Sequence, residues 1–363
     1  MKKQWLIGIV AASVLLGVWW FMYPHESRIV YIVPFGGFEN DKLFDIQDPK
    51  LNRDNARLPF HTMREAFKRL GYTVKTTTRV QDFKDAHAVI CFDIPLEFPE
   101  MLRSDIPKEK FILFMFEPPT IKPYNFVREY HEPFGKIYTQ LDDLVDNKKY
   151  FKFYEPQIDF SVGKNSTPFE DRKLCAMIAG NKKSTFQLEL YSQRQKMIDF
   201  FENKQTGEFD LYGPGWPAYS SYRGYVDSKT KCLSRYRFNI CYENMHGVRG
   251  YITEKLFNSF PSATVPVYWG APNITDYVPK NCFIDRRDFN DEHELYAYLK
   301  SMDKKTYDTY LENIKNYVTT AQAAQFSTEN FADIVISSVL PGYNRNKAFT
   351  KEQLQVLVRL GKA

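Results

Sequence analysis

The segment YRFNICYENMHGVRGYITEKLFNSFPSATVPVYWG, Tyr236–Gly270, decides the fold class. Its apolar runs, Phe238–Tyr242 and Val265–Trp269, have the length of buried strands, and a polar turn and a short helix lie between them. Polar side chains crowd the place where the first strand ends and the helix begins: Glu243, Asn244, Arg249, Tyr251, Thr253, Glu254 and Lys255. Ligands of open α/β sheets bind at that place, because backbone N–H groups at a helix start lack partners and attract anions.

The same alternation runs outward in both directions. Ile29–Val33 reads as a first buried strand, Thr62–Leu70 as a helix closed by Gly71, and Tyr72–Lys75 as the next strand. Ala88–Asp93, Phe111–Phe116 and Lys136–Thr139 continue the series, and the polar stretch Asp159–Arg172 reads as a linker. A second unit begins with the strand Leu174–Ala179, followed by a helix over Phe186–Glu202 and a strand over Phe209–Tyr212. Charged amphipathic helices are expected near Asp291–Ser301 and Lys304–Thr320, and apolar spacing suggests a helical tail near the C-terminus. Strands alternating with helices predict parallel sheets in an α/β protein.

Composition bounds the function. The 363 residues can form two domains of ordinary size. A net charge of +5 is spread without a long basic block, which weighs against nucleic acid as a partner. Five cysteines (Cys91, Cys175, Cys232, Cys241 and Cys282) form no CxxC pair, and the six histidines show no ligand spacing, so no metal site is expected. The uncharged run Trp5–Tyr23 follows Lys2 and Lys3 and ends in aromatic residues. As a helix it would span ~28 Å, close to the thickness of a bilayer core, and the lysines favour a cytoplasmic N-terminus.

Three places carry candidate chemistry. Thr253 reads as an N-cap, so Glu254 and Lys255 fall in the first helical turn; a lysine there opposes the helix dipole, which makes sense if an anion lies between it and the free N–H groups. A nucleotide diphosphate fits, with Glu254 accepting from ribose hydroxyls. Arg194 lies on the helix after Leu174–Ala179, where it could fork onto phosphate oxygens or simply face solvent. Glu117 follows a strand directly and precedes two prolines; near apolar walls its pKa would rise toward a general base's useful range. No Asp-x-Asp pair occurs, so the carboxylates with which many glycosyl transferases hold Mn²⁺ are missing. Asn165 and Asn273 are glycosylation sequons that matter only in a secretory compartment.

Phe238, Tyr242-Glu243-Asn244, Tyr251-Ile252-Thr253-Glu254-Lys255 and Val265-Pro266-Val267 with Gly270 resemble, in order and spacing, the signature of glycosyltransferase family 10, the α-1,3/1,4-fucosyltransferases. The resemblance implies an α/β fold of GT-B type, two Rossmann-like domains facing a cleft, here preceded by one N-terminal transmembrane helix. The corresponding division is a cytoplasmic tail and signal-anchor over 1–27, an acceptor-side domain over 28–165, a GDP-sugar-binding domain over 166–340 and a helical tail over 341–363. It implies an inverting transfer of L-fucose from GDP-β-L-fucose to an acceptor oligosaccharide or glycoconjugate, without a required cofactor or metal. By position, Arg194 and Lys255 would hold the diphosphate, Glu254 the ribose, Asn244 and Tyr251 the donor pocket, and Glu117 would be the base. Asn181, Glu243 and Arg249 are further donor-pocket candidates. The expected location is a type II single-pass protein, in the Golgi membrane of a eukaryote or the cell membrane of a bacterium. The same fold with another nucleotide sugar, or a catalytically silent glycan- or nucleotide-binding membrane protein, remains the alternative.

Overall fold

The computed structural model describes residues 27–157, 160–163 and 167–343. The anchor expected at 5–23, the Asn165 sequon and the tail from 344 onward lie outside them. Among the described residues, no helix is long and apolar enough to cross a membrane.

Two parallel sheets form the scaffold. The first contains β1 (Ile29–Val33), β2 (Thr73–Thr76), β3 (Ala88–Phe92), β4 (Phe111–Met115), β5 (Lys136–Thr139) and β6 (Tyr150–Lys152), in the order β2-β1-β3-β4-β5-β6. The second contains β7 (Lys173–Ile178), β8 (Phe209–Tyr212), β9 (Tyr236–Tyr242), β10 (Val265–Trp269) and β11 (Ile284–Asp285), in the order β11-β10-β9-β7-β8. Every pairing is parallel, and β3, β4 and β8 are buried along their whole length, as strands covered on both faces must be. Counted from its own first strand, the second sheet has the order 2-1-3-4-5 and the first the same order with a sixth strand added, 2-1-3-4-5-6. This is the flavodoxin-like variant of the doubly wound fold, with its topological switch between the first and third strands. The expected Rossmann-like pair of domains is therefore present with that strand order.

The helices are α1 (Leu58–Arg69), α2 (Phe98–Leu102), α3 (Tyr191–Lys204), α4 (Lys229–Leu233), α5 (Glu254–Phe257), α6 (Glu292–Ser301), α7 (Lys304–Tyr317), α8 (Ala321–Ala324) and α9 (Thr328–Val339). Although the sequence reading runs the second domain to 340, α9 lies in the core of the first. Its Phe331, Ala332, Val335, Ile336 and Val339 are buried with Phe60, Met63 and Phe67 of α1. These five residues recur at helical spacing and form one apolar stripe, and each large aliphatic or aromatic member contributes about 1.5–3 kcal/mol by burial. Ser327 caps α9 through Oγ, which accepts from Asn330 N at 3.1 Å.

The chain therefore crosses between the domains twice, and the crossings meet. Gln157 N donates to Phe326 O at 2.6 Å, and Thr328 Oγ1 donates to Gln157 O at 3.3 Å. A second tie joins the domains beside the Gly247–Tyr251 turn. Asp142 of the first domain accepts from Tyr277 Oη at 2.6 Å and Asn273 Nδ2 at 3.0 Å, while its own domain supplies Lys152 Nζ at 2.7 Å. Gly250 has φ +78°, and a Cβ there would collide with Asp142 Oδ1 and the Gln140 carbonyl, so the turn docks only with glycine at this position.

Candidate active site

A cleft of about 740 Å³ separates the domains, beyond the carboxyl ends of β1 and β4 in the first sheet and at the β7/β9 switch point of the second. Phe35 after β1 and Phe116 and Glu117 after β4 line it from one side. Ala179 and Gly180 after β7 and Asn244 after β9 line it from the other.

The second-domain wall is organised by a carboxylate outside the lining. Glu243 is fully buried and accepts from Thr253 N at 2.8 Å and Thr253 Oγ1 at 2.7 Å, while Lys255 Nζ lies 3.3 Å from the oxygen that accepts from the hydroxyl. Burial pushes the Glu243 carboxyl up, and Lys255 pulls it back. Because the Thr253 hydroxyl is spent on Glu243 and on Lys255 Nζ (2.9 Å), it does not cap α5 as expected from sequence. The helix is a single turn, so side-chain charge rather than a helix dipole must supply the attraction for an anion.

Lys255 and Glu254 both line the cleft. Burial alone would lower the Lys255 ammonium, but Glu254 and Glu243 raise it above its ordinary value and hold it charged. Burial would likewise raise the Glu254 carboxyl, yet Lys255 and Lys229, at 3.9 and 3.8 Å, bring it down to about 2. An ionised acceptor of hydrogen bonds thus stands beside a fixed cation. Tyr251 is buried at the same wall, and burial raises its hydroxyl well above the ordinary value, so it remains a neutral donor.

Arg194 lines the cleft but is also bound into the fold. Its Nη2 donates to Tyr242 O and Glu243 O, both at 2.7 Å, and to Asn244 Oδ1 at 3.0 Å. It ties the end of β9 to α3 and orients Asn244, and it is buried rather than facing solvent. Asn181 is exposed outside the lining, with Nδ2 on Gly215 O at 2.9 Å; its neighbours Gly180 and Lys182 are the lining residues. Arg249 also lies outside, paired with Asp143 at 3.5 Å and Asp276 at 3.7 Å near the interdomain tie.

Glu117 is brought to the opposite wall by a buried carboxylate behind it. Asp93, at φ +65° after β3, accepts through one oxygen from Phe116 N (2.8 Å), Glu117 N (3.0 Å) and Asn125 Nδ2 (2.7 Å). Asn125 Nδ2 also bonds Glu117 O at 3.1 Å. The backbone at Glu117 is therefore fixed while its side chain faces the cleft. Burial raises the Glu117 carboxyl above its ordinary value, and Lys182 and Lys255 across the cleft limit the rise.

Sequence reasoning missed Glu155, Lys182, Lys229 and Arg57, all in the lining. Glu155 follows the short strand β6 and accepts from Gln140 Nε2 at 2.9 Å. Burial first, then the Glu254 and Glu117 charges, push it well above the ordinary carboxylate range. Its signal was present: Glu155-Pro156 repeats the strand-end Glu117-Pro118 pattern. Among the described residues no group of three or more His, Cys, Asp or Glu side chains could hold a metal ion.

The family model described as glycosyltransferase family 10 (fucosyltransferase), C-terminal, matches residues 171–338. The alpha-(1,3)-fucosyltransferase FucT of Helicobacter pylori is 42% identical over 76 residues, 21% of this chain and 16% of that protein. The 4-galactosyl-N-acetylglucosaminide 3-alpha-L-fucosyltransferase 9 of Rattus norvegicus is 26% identical over 236 residues, 64% of this chain and 59% of that protein. The chain thus spans less than two thirds of the length of these relatives. A crystal structure of α1,3-fucosyltransferase with GDP superposes with a TM-score of 0.55 at 16% identity, covering 88% of this chain and 93% of that one, and so supports the shared fold. The Glu254–Lys255 wall lies within residues 171–338, the part of the chain that the glycosyltransferase family 10 model matches.

Proposed function

We propose that the cleft transfers L-fucose from GDP-β-L-fucose to a hydroxyl of an acceptor glycan, an α-1,3 linkage on GlcNAc or Glc, with inversion in a single displacement. The observation that carries this reading is the opposition, across one cleft, of the raised Glu117 carboxyl and the Glu254–Lys255 pair. Glu117 takes the proton of the acceptor hydroxyl as its oxygen bonds to the anomeric carbon, a contribution of about 10²–10⁴ in rate. As the bond to the diphosphate breaks, Lys255 and Arg194 stabilise the charge developing on the leaving group. Glu254 accepts from the ribose hydroxyls, and Tyr251 and Asn244 line the sugar pocket. These fixed cations supply the electrostatic stabilisation without a metal, so full activity in excess EDTA is expected.

A donor panel tests the reading. Transfer from GDP-fucose, with little from GDP-mannose or UDP-sugars, supports it. Preference for another nucleotide sugar would replace the donor, and binding without turnover of any donor would leave a silent binding protein. The run Trp5–Tyr23 is proposed as a type II membrane anchor, in the Golgi membrane of a eukaryote or the cell membrane of a bacterium. Retention in the membrane pellet after alkaline carbonate extraction is the expected result; release into the supernatant contradicts it.

A further inference from the structure

The first-domain wall carries a cation that the transfer chemistry does not use. Arg57 lines the cleft with its guanidinium over the Phe38 ring at 4.3 Å and the Phe60 ring at 5.2 Å. Among the described residues its side chain makes no hydrogen bond or ion pair within 4.0 Å, and its Nε and Nη1 are buried without a partner. Burial lowers its pKa from the ordinary value, the sign of a cation stripped of water with no counter-ion. Arg57 also stands at the N-cap of α1, where the helix dipole opposes a positive charge. Cation–π contact offsets only part of such a cost. Of the other cleft cations, Lys182 is exposed to water, while the rest have carboxylate or carbonyl neighbours: Lys229 and Lys255 have Glu254, Arg53 has Asp54 at 3.8 Å, and Arg194 has the β9 carbonyls.

The surroundings of Arg57 indicate which ligand would meet it. Phe60 joins it to Phe116, whose ring is 6.3 Å from that of Phe60 and whose next residue is Glu117. Phe35 packs on both rings, at 6.3 and 5.2 Å, and lines the same wall. Phe60 is buried at the foot of this wall, while Phe35, Phe38 and Phe116 are partly exposed; such phenyl rings suit the apolar face of a sugar, and a guanidinium suits a carboxylate. This wall belongs to the domain of the proposed base, whereas the diphosphate cations Lys255 and Arg194 belong to the other.

Resting on the reading of the cleft as a glycosyl-transfer site, we propose that Arg57, with Phe38 and Phe60, forms an acceptor subsite for an acidic sugar bearing a carboxylate. The probes are two matched disaccharides, glucuronosyl-GlcNAc and glucosyl-GlcNAc, compared in wild type, Arg57→Gln and Arg57→Lys. Saturation-transfer NMR with GDP present reads acceptor binding directly, turnover from GDP-fucose reads kcat/KM, and calorimetry reads GDP affinity. Wild type should favour the acidic disaccharide by about tenfold or more. Arg57→Gln should erase that preference with GDP affinity near wild type, and Arg57→Lys should restore part of it. Equal binding of both disaccharides by wild type, or no binding of the acidic one, overturns the proposal. An equal loss for both disaccharides in Arg57→Gln assigns Arg57 a structural role, and a loss of GDP affinity assigns it to the donor; either result overturns it. If GDP-fucose supports no transfer, the donor reading fails, and the NMR preference still decides the subsite.

Discussion

Replacing Asp93 separates the charge of a buried carboxylate from its hydrogen bonds, and both effects bear on Glu117. Asp93→Ala removes the acceptor for Phe116 N, Glu117 N and Asn125 Nδ2 and leaves an alanine at φ +65°. Three bonds at about 1 kcal/mol each and about 1 kcal/mol of left-handed strain predict a loss of about 4 kcal/mol. Asp93→Asn keeps an accepting oxygen and a residue that tolerates positive φ, so its backbone bonds survive. The charge acts in the opposite direction. Burial pushes the Asp93 pKa from 3.8 up to about 6, with the Glu117 and Asn125 hydrogen bonds and Lys122 at 3.9 Å opposing the rise. The native state then holds the proton more tightly than the unfolded state. Stability from this group is complete below about pH 3.8 and is lost as pH rises through about 6, a change of about 3 kcal/mol. Urea unfolding followed by tryptophan fluorescence at pH 4.5 and 7.5 measures both effects. Asp93→Ala should be far less stable than Asp93→Asn at either pH, and Asp93→Asn should gain on wild type at pH 7.5. The alanine variant should also lose transfer rate while keeping GDP affinity, since Asp93 holds Phe116, Glu117 and Asn125 of the first domain and bonds nothing on the Glu254–Lys255 wall. Equal midpoints for the two variants, together with a wild-type difference independent of pH, would refute the reasoning.

Lys255→Ala removes the cation beside Glu254 and should weaken GDP about 10–100-fold by calorimetry, as loss of a charge-assisted contact predicts; equal affinity removes Lys255 from the diphosphate. Gly250→Ala forces a Cβ against Asp142 and the Gln140 carbonyl at φ +78° and should undock the turn that leads into Tyr251. A lowered melting temperature and impaired transfer are expected, and a variant with wild-type stability shows that the interdomain tie is dispensable.

Much of the fold was legible because parallel strands buried on both faces appear as unbroken apolar runs. Ile29–Val33, Lys136–Thr139, Phe209–Tyr212 and Val265–Trp269 fall on the observed strands at both ends. The strands β6 and β11 escaped because three and two residues carry no periodicity. The helix expected from Phe186 begins at Tyr191, after the turn in which Leu190 N bonds Asn244 O and His246 N bonds Leu188 O. That tertiary pairing cannot be seen in a local window. Placement of α9 against the first sheet depends on the return crossing at Gln157 and Phe326, which leaves no local trace.

The candidate site divided along the same line. Glu117, Tyr251, Glu254 and Lys255 announce themselves at strand ends and a helix start, and the fold brings them to one cleft. Glu243 looked equivalent by position, but the alternation of the chain after β9 turns it behind the wall, where it holds Thr253 and Lys255. Arg249 sits on the turn that docks to the first domain, so its charge is used on Asp143 and Asp276. Arg57 stands beside no motif in the sequence, and Glu155-Pro156, though it repeats the Glu117-Pro118 pattern, joins the site only when the domains face each other.

Glu117 as the base stands or falls with the turnover of Glu117→Gln on GDP-fucose, with GDP affinity measured on the same preparation. A fall of about 10²–10⁴ in transfer rate with GDP binding near wild type is expected. The wild-type acid limb should lose activity as pH falls through a pKa above the ordinary carboxylate value, since burial raises this carboxyl. A Glu117→Gln enzyme that turns over at the wild-type rate would contradict the base role.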